Sequence, residues 1–168
     1  MPMLTPSYRA SLSIGASAAS VWRTLSDVEA WPEWLATVTS VRALDSAPLR
    51  IGNRYEVVQP RLRPSTWSVT EIEPEHRFVW QSRSPGLLMT ADHIVEELAT
   101  HQSIVTLQFS FSRIWGTPIG LLFRSITEQY LAQEIAALKL KVDGDVALKL
   151  SKIPETRKRP TANEIELA

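Results

Sequence analysis

A chain of 168 residues, 44% of them hydrophobic, is long enough for one domain with its own core. Its 18 basic residues balance 18 acidic ones, so no net charge favours nucleic acid or an anionic membrane as a partner. The sequence contains no cysteine, which excludes disulfides, thiolate nucleophiles and cysteine metal ligands.

The N-terminal segment carries no targeting pattern. Its first ten residues lack the basic and then apolar order of a secretory signal. No apolar run in the chain approaches the roughly 20 residues of a bilayer-spanning helix. We therefore expect a cytoplasmic protein that makes no stable membrane insertion and binds no nucleic acid.

One strand and two short helices are predicted at the start of the chain. After a lead-in over residues 1–7, apolar and polar side chains alternate over residues 8–14, which indicates a half-buried strand. Ser17 is a good helix N-cap, and apolar residues follow it at helical spacing. A second helical piece begins near Asp27, and we expect Pro32 to keep it separate from the first.

Short strands joined by turns are predicted for the middle of the chain. β-Branched and aromatic residues recur there at every second position, and Gly, Pro and Asn mark the turns. Consecutive strands with short turns form an antiparallel meander. The predicted strands cover residues 37–44, 55–59, 66–72, 77–83, 88–98 and 103–112.

One long helix is predicted over residues 117–150. Its apolar residues recur close to the 3.6-residue period, and Pro118 suits its first turn. Gly144 is its weak point, where we expect the helix to end or bend. The charged, proline-containing residues 151–168 have little to bury, so we expect a disordered tail after a single domain of residues 8–150.

This order of elements predicts a two-layer α+β domain in which one face of the sheet covers the long helix. Particular residues indicate a more specific fold within this class. Leu25-Ser26-Asp27 and Trp31-Pro32-Glu33-Trp34 follow the first helix, Gly52 precedes a strand, and His93 lies in a later one. With these landmarks, residues 8–144 resemble the START-like (SRPBCC) superfamily, and within it the polyketide cyclase/dehydrase branch.

The resemblance implies a helix-grip fold. In that fold a curved antiparallel sheet, here of six to seven strands, wraps a long C-terminal helix, and two short helices follow the first strand. A deep cavity lies between sheet and helix, with its mouth near the two short helices. Members include cyclases, lipid and sterol carriers, ubiquinone-binding proteins and hormone receptors, so both a binder and an enzyme are implied. The turn after Leu98 departs from the family pattern because it contains no glycine.

Counting by two along the predicted strands gives the side chains that would face such a cavity. They are mostly aromatic and aliphatic with a few polar groups interleaved, as in pockets for small molecules. Plain core packing is the alternative interpretation. The candidate ligand-binding residues are Trp31, Trp34, Tyr55, Gln59, Trp67, Trp80, Ser82, His93, Phe109, Phe111, Trp115 and Tyr130.

His93 is the main candidate for acid or base chemistry. Because histidine titrates near neutral pH, His93 could move protons, with Tyr130 or Glu134 of the long helix as partners. The alternatives are a cavity histidine without a catalytic task and a Glu134 on the helix surface. Asp92 points to the opposite face of its strand, so it cannot form a dyad with His93.

The remaining motifs indicate no further chemistry. The three histidines lack metal-ligand spacing, no serine occupies a glycine-flanked nucleophile elbow, and no glycine-rich loop could cradle a phosphate. We therefore expect no metal and no cofactor. Arg61 and Arg63 flank a loop and are expected to face solvent, and Arg83 and Arg113 are expected in solvent or at the mouth.

The resulting functional prediction is a binding protein for a hydrophobic small molecule, such as a lipid, a quinone or a polyketide-like aromatic. The molecule would lie between the sheet and the long helix. One alternative is a polyketide aromatase/cyclase or dehydratase that uses the cavity histidine as an acid or base on a poly-carbonyl substrate. Another is a non-catalytic protein-interaction module that has a collapsed cavity and acts through its surface or its tail.

Overall fold

The structure is a computed structural model that describes residues 5–46 and 48–152. Within these ranges the chain forms seven strands, three α-helices and one 3-10 helix. The strands are β1 (Ser7–Ile14), β2 (Ser40–Ala43), β3 (Arg54–Val58), β4 (Ser65–Glu73), β5 (Arg77–Ser84), β6 (Leu87–Ala99) and β7 (Gln102–Ser112). The helices are α1 (Ala18–Ser26), the 3-10 helix (Val28–Glu33), α2 (Gly116–Leu122) and α3 (Arg124–Ser151).

The strands form one antiparallel sheet in the order β1-β7-β6-β5-β4-β3-β2. Strands β2 to β7 follow one another as the predicted meander. Strand β1 pairs with β7, so that Ile14 lies opposite Ser103. A bulge between Val69 and Glu71 interrupts the β4–β5 pairing and adds to the curvature of the sheet. The curved sheet and its C-terminal helix confirm the predicted helix-grip fold.

The strand bounds agree with the predicted ones to within one residue, apart from β2. Alternation explains the agreement, because side chains such as Val105 and Leu107 of β7 are fully buried two positions apart. Strand β2 is shorter than the predicted residues 37–44. The amide of Val38 donates instead to the carbonyl of Leu35 at 3.1 Å, which holds the chain in a turn before β2 begins.

The two N-terminal helices begin as predicted but are divided at a different residue. The Ser17 hydroxyl accepts a hydrogen bond from the Ser20 amide at 3.3 Å and caps α1. The division falls at Asp27, whose φ of −83° and ψ of 69° leave the helical region. Pro32 lies inside the 3-10 helix. The expectation that Pro32 separates the two helices was therefore wrong.

The long C-terminal helix is interrupted, which corrects the single predicted helix over residues 117–150. Helix α2 ends at Leu122 and α3 begins at Arg124. Phe123 between them has a ψ of 9°, outside the helical region. The Tyr8 hydroxyl donates to the Gly120 carbonyl at 2.9 Å. A continuous helix would offer that carbonyl to the Arg124 amide, so the bond from β1 favours the break.

Helix α3 continues through Gly144 to Ser151, so the predicted end or bend at Gly144 was wrong. Two ion pairs, Lys139–Asp143 at 3.0 Å and Lys141–Asp145 at 3.3 Å, support the helix around this glycine. The predicted tail lies outside the described residues from 153 onward. Within the described ranges no helix is long and apolar enough to cross a bilayer. The apolar stripe that α3 buries consists of Leu131, Ile135, Leu138 and Val142.

Candidate functional site

A cavity of about 830 Å³ lies between the sheet and the C-terminal helices. Its walls come from the 3-10 helix, from strands β3 to β7 and from helices α2 and α3. Exposed residues such as Arg61 and Ser84 also line it, so the cavity opens to solvent between the β3–β4 and β5–β6 connections.

The inner wall is built from strand positions that the sheet register aligns. Trp80 of β5, Ala91 of β6 and Phe109 of β7 lie side by side, and all three line the cavity. Two further rows lie on the same face because side chains alternate with a period of two. They are Phe78–His93–Leu107 and Ser82–Met89–Phe111.

Three tryptophans contribute to the aromatic wall, Trp31, Trp67 and Trp80. The ring centroids of Trp31 and Trp80 are 5.4 Å apart, and those of Trp67 and Trp80 are 5.6 Å apart. The Trp31 indole donates to the Leu25 carbonyl at 3.0 Å, and the Trp67 indole donates to the Ser65 hydroxyl at 2.8 Å. Because these two N–H groups already have partners, the rings of Trp31 and Trp67 offer the cavity mainly apolar surface.

A histidine and a glutamate form the buried polar feature of this wall. His93 is 4% exposed, and its Nε2 lies 3.6 Å from Oε1 of Glu134 on α3. That separation is longer than a hydrogen bond. Within the described residues, neither Nδ1 of His93 nor Oε1 of Glu134 has a hydrogen-bond partner. Both residues line the cavity, but these two atoms are themselves buried beneath its surface.

The ring of Phe78 fixes the orientation of the His93 imidazole. The two rings stack with centroids 4.1 Å apart and planes inclined by 8°. Trp31 contacts the imidazole from another side, at 5.6 Å between centroids. An imidazole held by two aromatic rings loses little further rotamer entropy when a ligand binds.

Tyr130 and Gln59 lie in the outer part of the wall, next to the β3–β4 loop. The Tyr130 hydroxyl donates to the Pro60 carbonyl and ties α3 to that loop. Of the two expected partners of His93, the structure therefore brings Glu134 to the imidazole, whereas the Tyr130 hydroxyl points to the loop.

Three of the candidate ligand-binding residues lie outside the cavity wall. Trp34 packs edge-on against Trp31 behind the wall, at 6.4 Å between centroids. Tyr55 is buried and borders a separate pocket of about 250 Å³. Trp115 is 55% exposed, and its amide donates to the Gly86 carbonyl at 2.9 Å, which holds it over the β5–β6 turn.

Asp92 and His93 point to opposite faces of β6, as alternation requires. Asp92 accepts two hydrogen bonds from Arg77, at 2.9 and 2.8 Å. These hydrogen bonds are the main reason that the pKa of Arg77 is raised above its usual value, with Glu71 adding to the effect. The Asp92 carboxylate is thus engaged on the outer face and forms no dyad with His93.

Some lining residues were not among the sequence candidates. Ile119, Phe123 and Ile126 line the cavity from α2, the helix break and α3. Arg61 and Arg63 are exposed to solvent, as expected, and they also line the cavity from the β3–β4 loop. Their place depends on where the loop crosses the mouth, and local sequence carries no signal for that path. Among residues 5–46 and 48–152, no three acidic or histidine side chains form a group that could hold a metal ion.

Several solved structures share this fold. The aromatase/cyclase Zhui from a Streptomyces species is 14% identical with a TM-score of 0.70, over 85% of this chain and 96% of that one. A norcoclaurine synthase point mutant from Thalictrum flavum, in complex with a transition-state analogue, is 14% identical with a TM-score of 0.68, over 85% and 97%. A di-domain aromatase/cyclase from the steffimycin biosynthetic pathway is 10% identical with a TM-score of 0.68, over 86% and 53%. At these identities the likeness shows the fold alone.

Comparison with protein families is more specific. No curated protein matches the sequence. Residues 5–143, however, match the family described as polyketide cyclase/dehydrase and lipid transport. The match covers most of the 168 residues and confirms the resemblance that the sequence indicated. The chain therefore belongs to the polyketide cyclase/dehydrase and lipid transport family of the START-like superfamily.

Proposed function

We propose that the protein binds a hydrophobic small molecule in the cavity between the sheet and α3. The observation that carries the proposal is the cavity volume of about 830 Å³. Ordinary protein cores contain few voids larger than a water molecule, whereas ligand pockets span about 300–1,000 Å³. A core filled by Trp67, Trp80 and Phe109 was the alternative interpretation, and the open volume beside these rings argues against it.

The chemistry of the walls favours a ligand with an apolar body and a polar group at its inner end. Burial of apolar surface supplies most of the affinity, at about 0.8 kcal/mol per methylene group. His93 and Glu134, 3.6 Å apart, supply one polar position deep in the wall. A lipid, a quinone or a polyketide-like aromatic with an inward hydroxyl or carbonyl satisfies both requirements.

A homologous series of straight-chain alcohols tests this proposal. Each added methylene should tighten binding about fourfold until the chain fills the cavity. In the Ala91→Trp variant the new ring occupies the middle of the inner wall. Affinity should then level off at a shorter chain, and long alcohols should bind about tenfold more weakly.

Ala136→Trp is the matched control. Ala136 lies on the exposed side of α3, so the same substitution there leaves the cavity intact. Affinities are measured by isothermal titration calorimetry, and circular dichroism verifies the fold of both variants. Affinities that do not depend on chain length, or an Ala91→Trp series that matches the wild type, would refute binding in this cavity.

The polar pair supports a second candidate function, a cyclase or dehydratase acting on a poly-carbonyl substrate. In that reaction a base removes a proton from a carbon between two carbonyl groups, the carbanion attacks another carbonyl of the same chain, and the resulting alkoxide takes the proton back from the base. His93 is the candidate base, and Glu134, 3.6 Å away, would orient the imidazole and stabilise its protonated form. The apolar walls would hold the chain folded and exclude water.

Turnover of a synthetic poly-carbonyl thioester tests the second candidate. We expect His93→Ala to lower the rate of cyclisation about 100-fold or more, while circular dichroism verifies that the variant keeps its fold. Glu134→Gln should reduce the rate less, because the imidazole itself remains. If the wild type and His93→Ala cyclise the thioester at equal rates, the cavity binds without catalysing this reaction.

A further inference from the structure

The mouth of the cavity carries a cluster of arginines, which we call the mouth arginines: Arg61 and Arg63 of the β3–β4 loop and Arg83 near the end of β5. All three line the cavity and are exposed to solvent. They therefore lie around one opening of the cavity, although Arg83 is distant in sequence from Arg61 and Arg63.

The mouth arginines lack acidic partners among the described residues. Neither Arg61 nor Arg63 forms an ion pair or a side-chain hydrogen bond within residues 5–46 and 48–152. Arg83 donates only to the neutral amide oxygen of Gln81, at 2.9 Å. By contrast, Arg42 pairs with Glu56 at 3.0 Å and Arg54 pairs with Asp45 at 3.1 Å.

Two acidic residues, Asp92 and Glu134, also border the cavity, but the carboxylate of neither neutralises the mouth. The Asp92 carboxylate is bound by Arg77 on the outer face of the sheet. Glu134 lies in the interior beside His93, with its side chain 14% exposed. The opening is therefore locally positive, although the whole chain has a formal net charge of zero.

The backbone at Arg61 adds an independent observation. Its φ is 64°, in the left-handed region that is unfavourable for a residue with a Cβ atom. The bond from the Tyr130 hydroxyl to the Pro60 carbonyl fixes the adjoining residue to α3. Strained residues held by their surroundings are concentrated at functional sites, and this one is held at the mouth.

From these observations we propose that the ligand is an anionic amphiphile, with its apolar body in the cavity and a carboxylate or phosphate at the mouth arginines. This inference rests on the proposed binding function and specifies the chemical class of its ligand. Guanidinium groups bind both anions through paired, charge-assisted hydrogen bonds. The exposed position lets the anion keep part of its hydration, so its desolvation cost stays small.

A displacement assay tests the proposal, with the fluorescent methyl ester of cis-parinaric acid as an uncharged reporter. Dodecanol, dodecanoic acid and dodecyl phosphate, which share one alkyl chain, compete with it below their critical micelle concentrations. The acid, the phosphate or both should displace the reporter at about tenfold lower concentration than the alcohol. Raising the salt concentration should reduce this advantage, because mobile ions screen exposed charges.

Charge-matched variants show whether the preference for anions depends on the mouth arginines or on the total charge of the protein. The triple variant Arg61→Gln, Arg63→Gln and Arg83→Gln should still bind the reporter, but the acid and the phosphate should no longer displace it at lower concentrations than the alcohol. We call this difference between the anions and the alcohol the anion advantage. The control Arg9→Gln, Arg23→Gln and Arg50→Gln removes the same charge from exposed positions away from the cavity and should keep the advantage. If the mouth triple variant fails to fold, Arg83→Gln alone should lower the advantage.

The outcomes distinguish the two proposals. If the reporter binds and the three competitors are equally effective, the anionic ligand is refuted and the binding function stands. If both triple variants lose the advantage equally, the mouth arginines have no special role and the inference fails. If neither the reporter nor any competitor binds the wild type, the proposed function itself is refuted. Preference between the acid and the phosphate identifies which anion the mouth selects.

Discussion

Tyr55 is a core residue that carries a titratable group. It is 1% exposed, and burial raises the pKa of its phenol above the usual value of 10.0, against a smaller opposing effect of a hydrogen bond with Asn53. Above about pH 10 the unfolded chain releases this proton while the folded protein retains it. The stability that Tyr55 contributes is therefore complete below that pH and is lost as the pH rises through the folded-state pKa.

The pH dependence of Tyr55→Phe checks this account. Urea unfolding between pH 8 and pH 11 should show a shallower alkaline loss of stability for the variant than for the wild type, because phenylalanine has no proton to release. Tyr8→Phe is the comparison, since Tyr8 is only partly buried. If the free energy of unfolding fell equally steeply with pH in Tyr55→Phe and in the wild type, burial would not raise the pKa of Tyr55.

At the scale of elements, two helical glycines have opposite surroundings. A Cβ atom on Gly120 of α2 would lie 2.7 Å from Cβ of Pro6, whereas nothing lies within 4 Å of such an atom on Gly144 of α3. Pro6 cannot easily yield, because its carbonyl accepts a hydrogen bond from the Phe111 amide at 3.0 Å. Gly120 is thus the residue that lets α2 approach the N-terminal end of β1.

Alanine substitutions at these glycines form a matched pair. Gly144→Ala should stabilise the protein by about 1 kcal/mol, which is the gain in helix propensity. Gly120→Ala has a similar gain, but overpacking against Pro6 should cost about 1–3 kcal/mol. In urea unfolding, Gly120→Ala should therefore be less stable than Gly144→Ala by about 1–3 kcal/mol. Equal stabilities would mean that α2 does not pack closely on Pro6.

The elements show which features local sequence can predict. Strands β5 to β7 were predicted because each carries its own alternation, and the same alternation places Trp80, His93 and Phe109 on the inner face. The break between α2 and α3 was missed because it depends on a hydrogen bond between Tyr8 and Gly120, 112 residues apart. The apolar periodicity continues across the break and gives no sign of it.

The candidate site likewise has one part that local sequence predicts and another part that it does not. Its inner wall follows from strand periodicity once the register is known, and the pairing of His93 with Glu134 follows from the rotation of α3 about its axis. Its mouth depends on a loop that the Tyr130–Pro60 bond ties to α3 across 70 residues. Trp115 is an example: it was a candidate ligand-binding residue, but the hydrogen bond from its amide to the Gly86 carbonyl holds it over the β5–β6 turn, outside the cavity wall.

At the scale of the whole molecule, the cavity separates two layers that would otherwise pack directly. The stripe from Leu131 to Val142 holds part of α3 to the sheet, while the segment around Tyr130 and Glu134 borders the cavity. A ligand in the cavity contacts both layers, and these contacts exist only in the folded state. Ligand binding should therefore stabilise the whole domain rather than one element.

The size of this stabilisation follows from mass action. With a straight-chain alcohol free at 100 times its Kd, the free energy of unfolding should rise by about 2.7 kcal/mol. At the same alcohol concentration Ala91→Trp should gain less, because its affinity is lower, while Ala136→Trp should gain as much as the wild type. Urea unfolding followed by far-UV circular dichroism measures the change, and the m-value should stay constant, since the surface exposed on unfolding hardly differs. A gain of equal size in both variants would place the alcohol elsewhere on the protein. A loss of stability in the wild type would mean that the alcohol binds mainly to the unfolded chain.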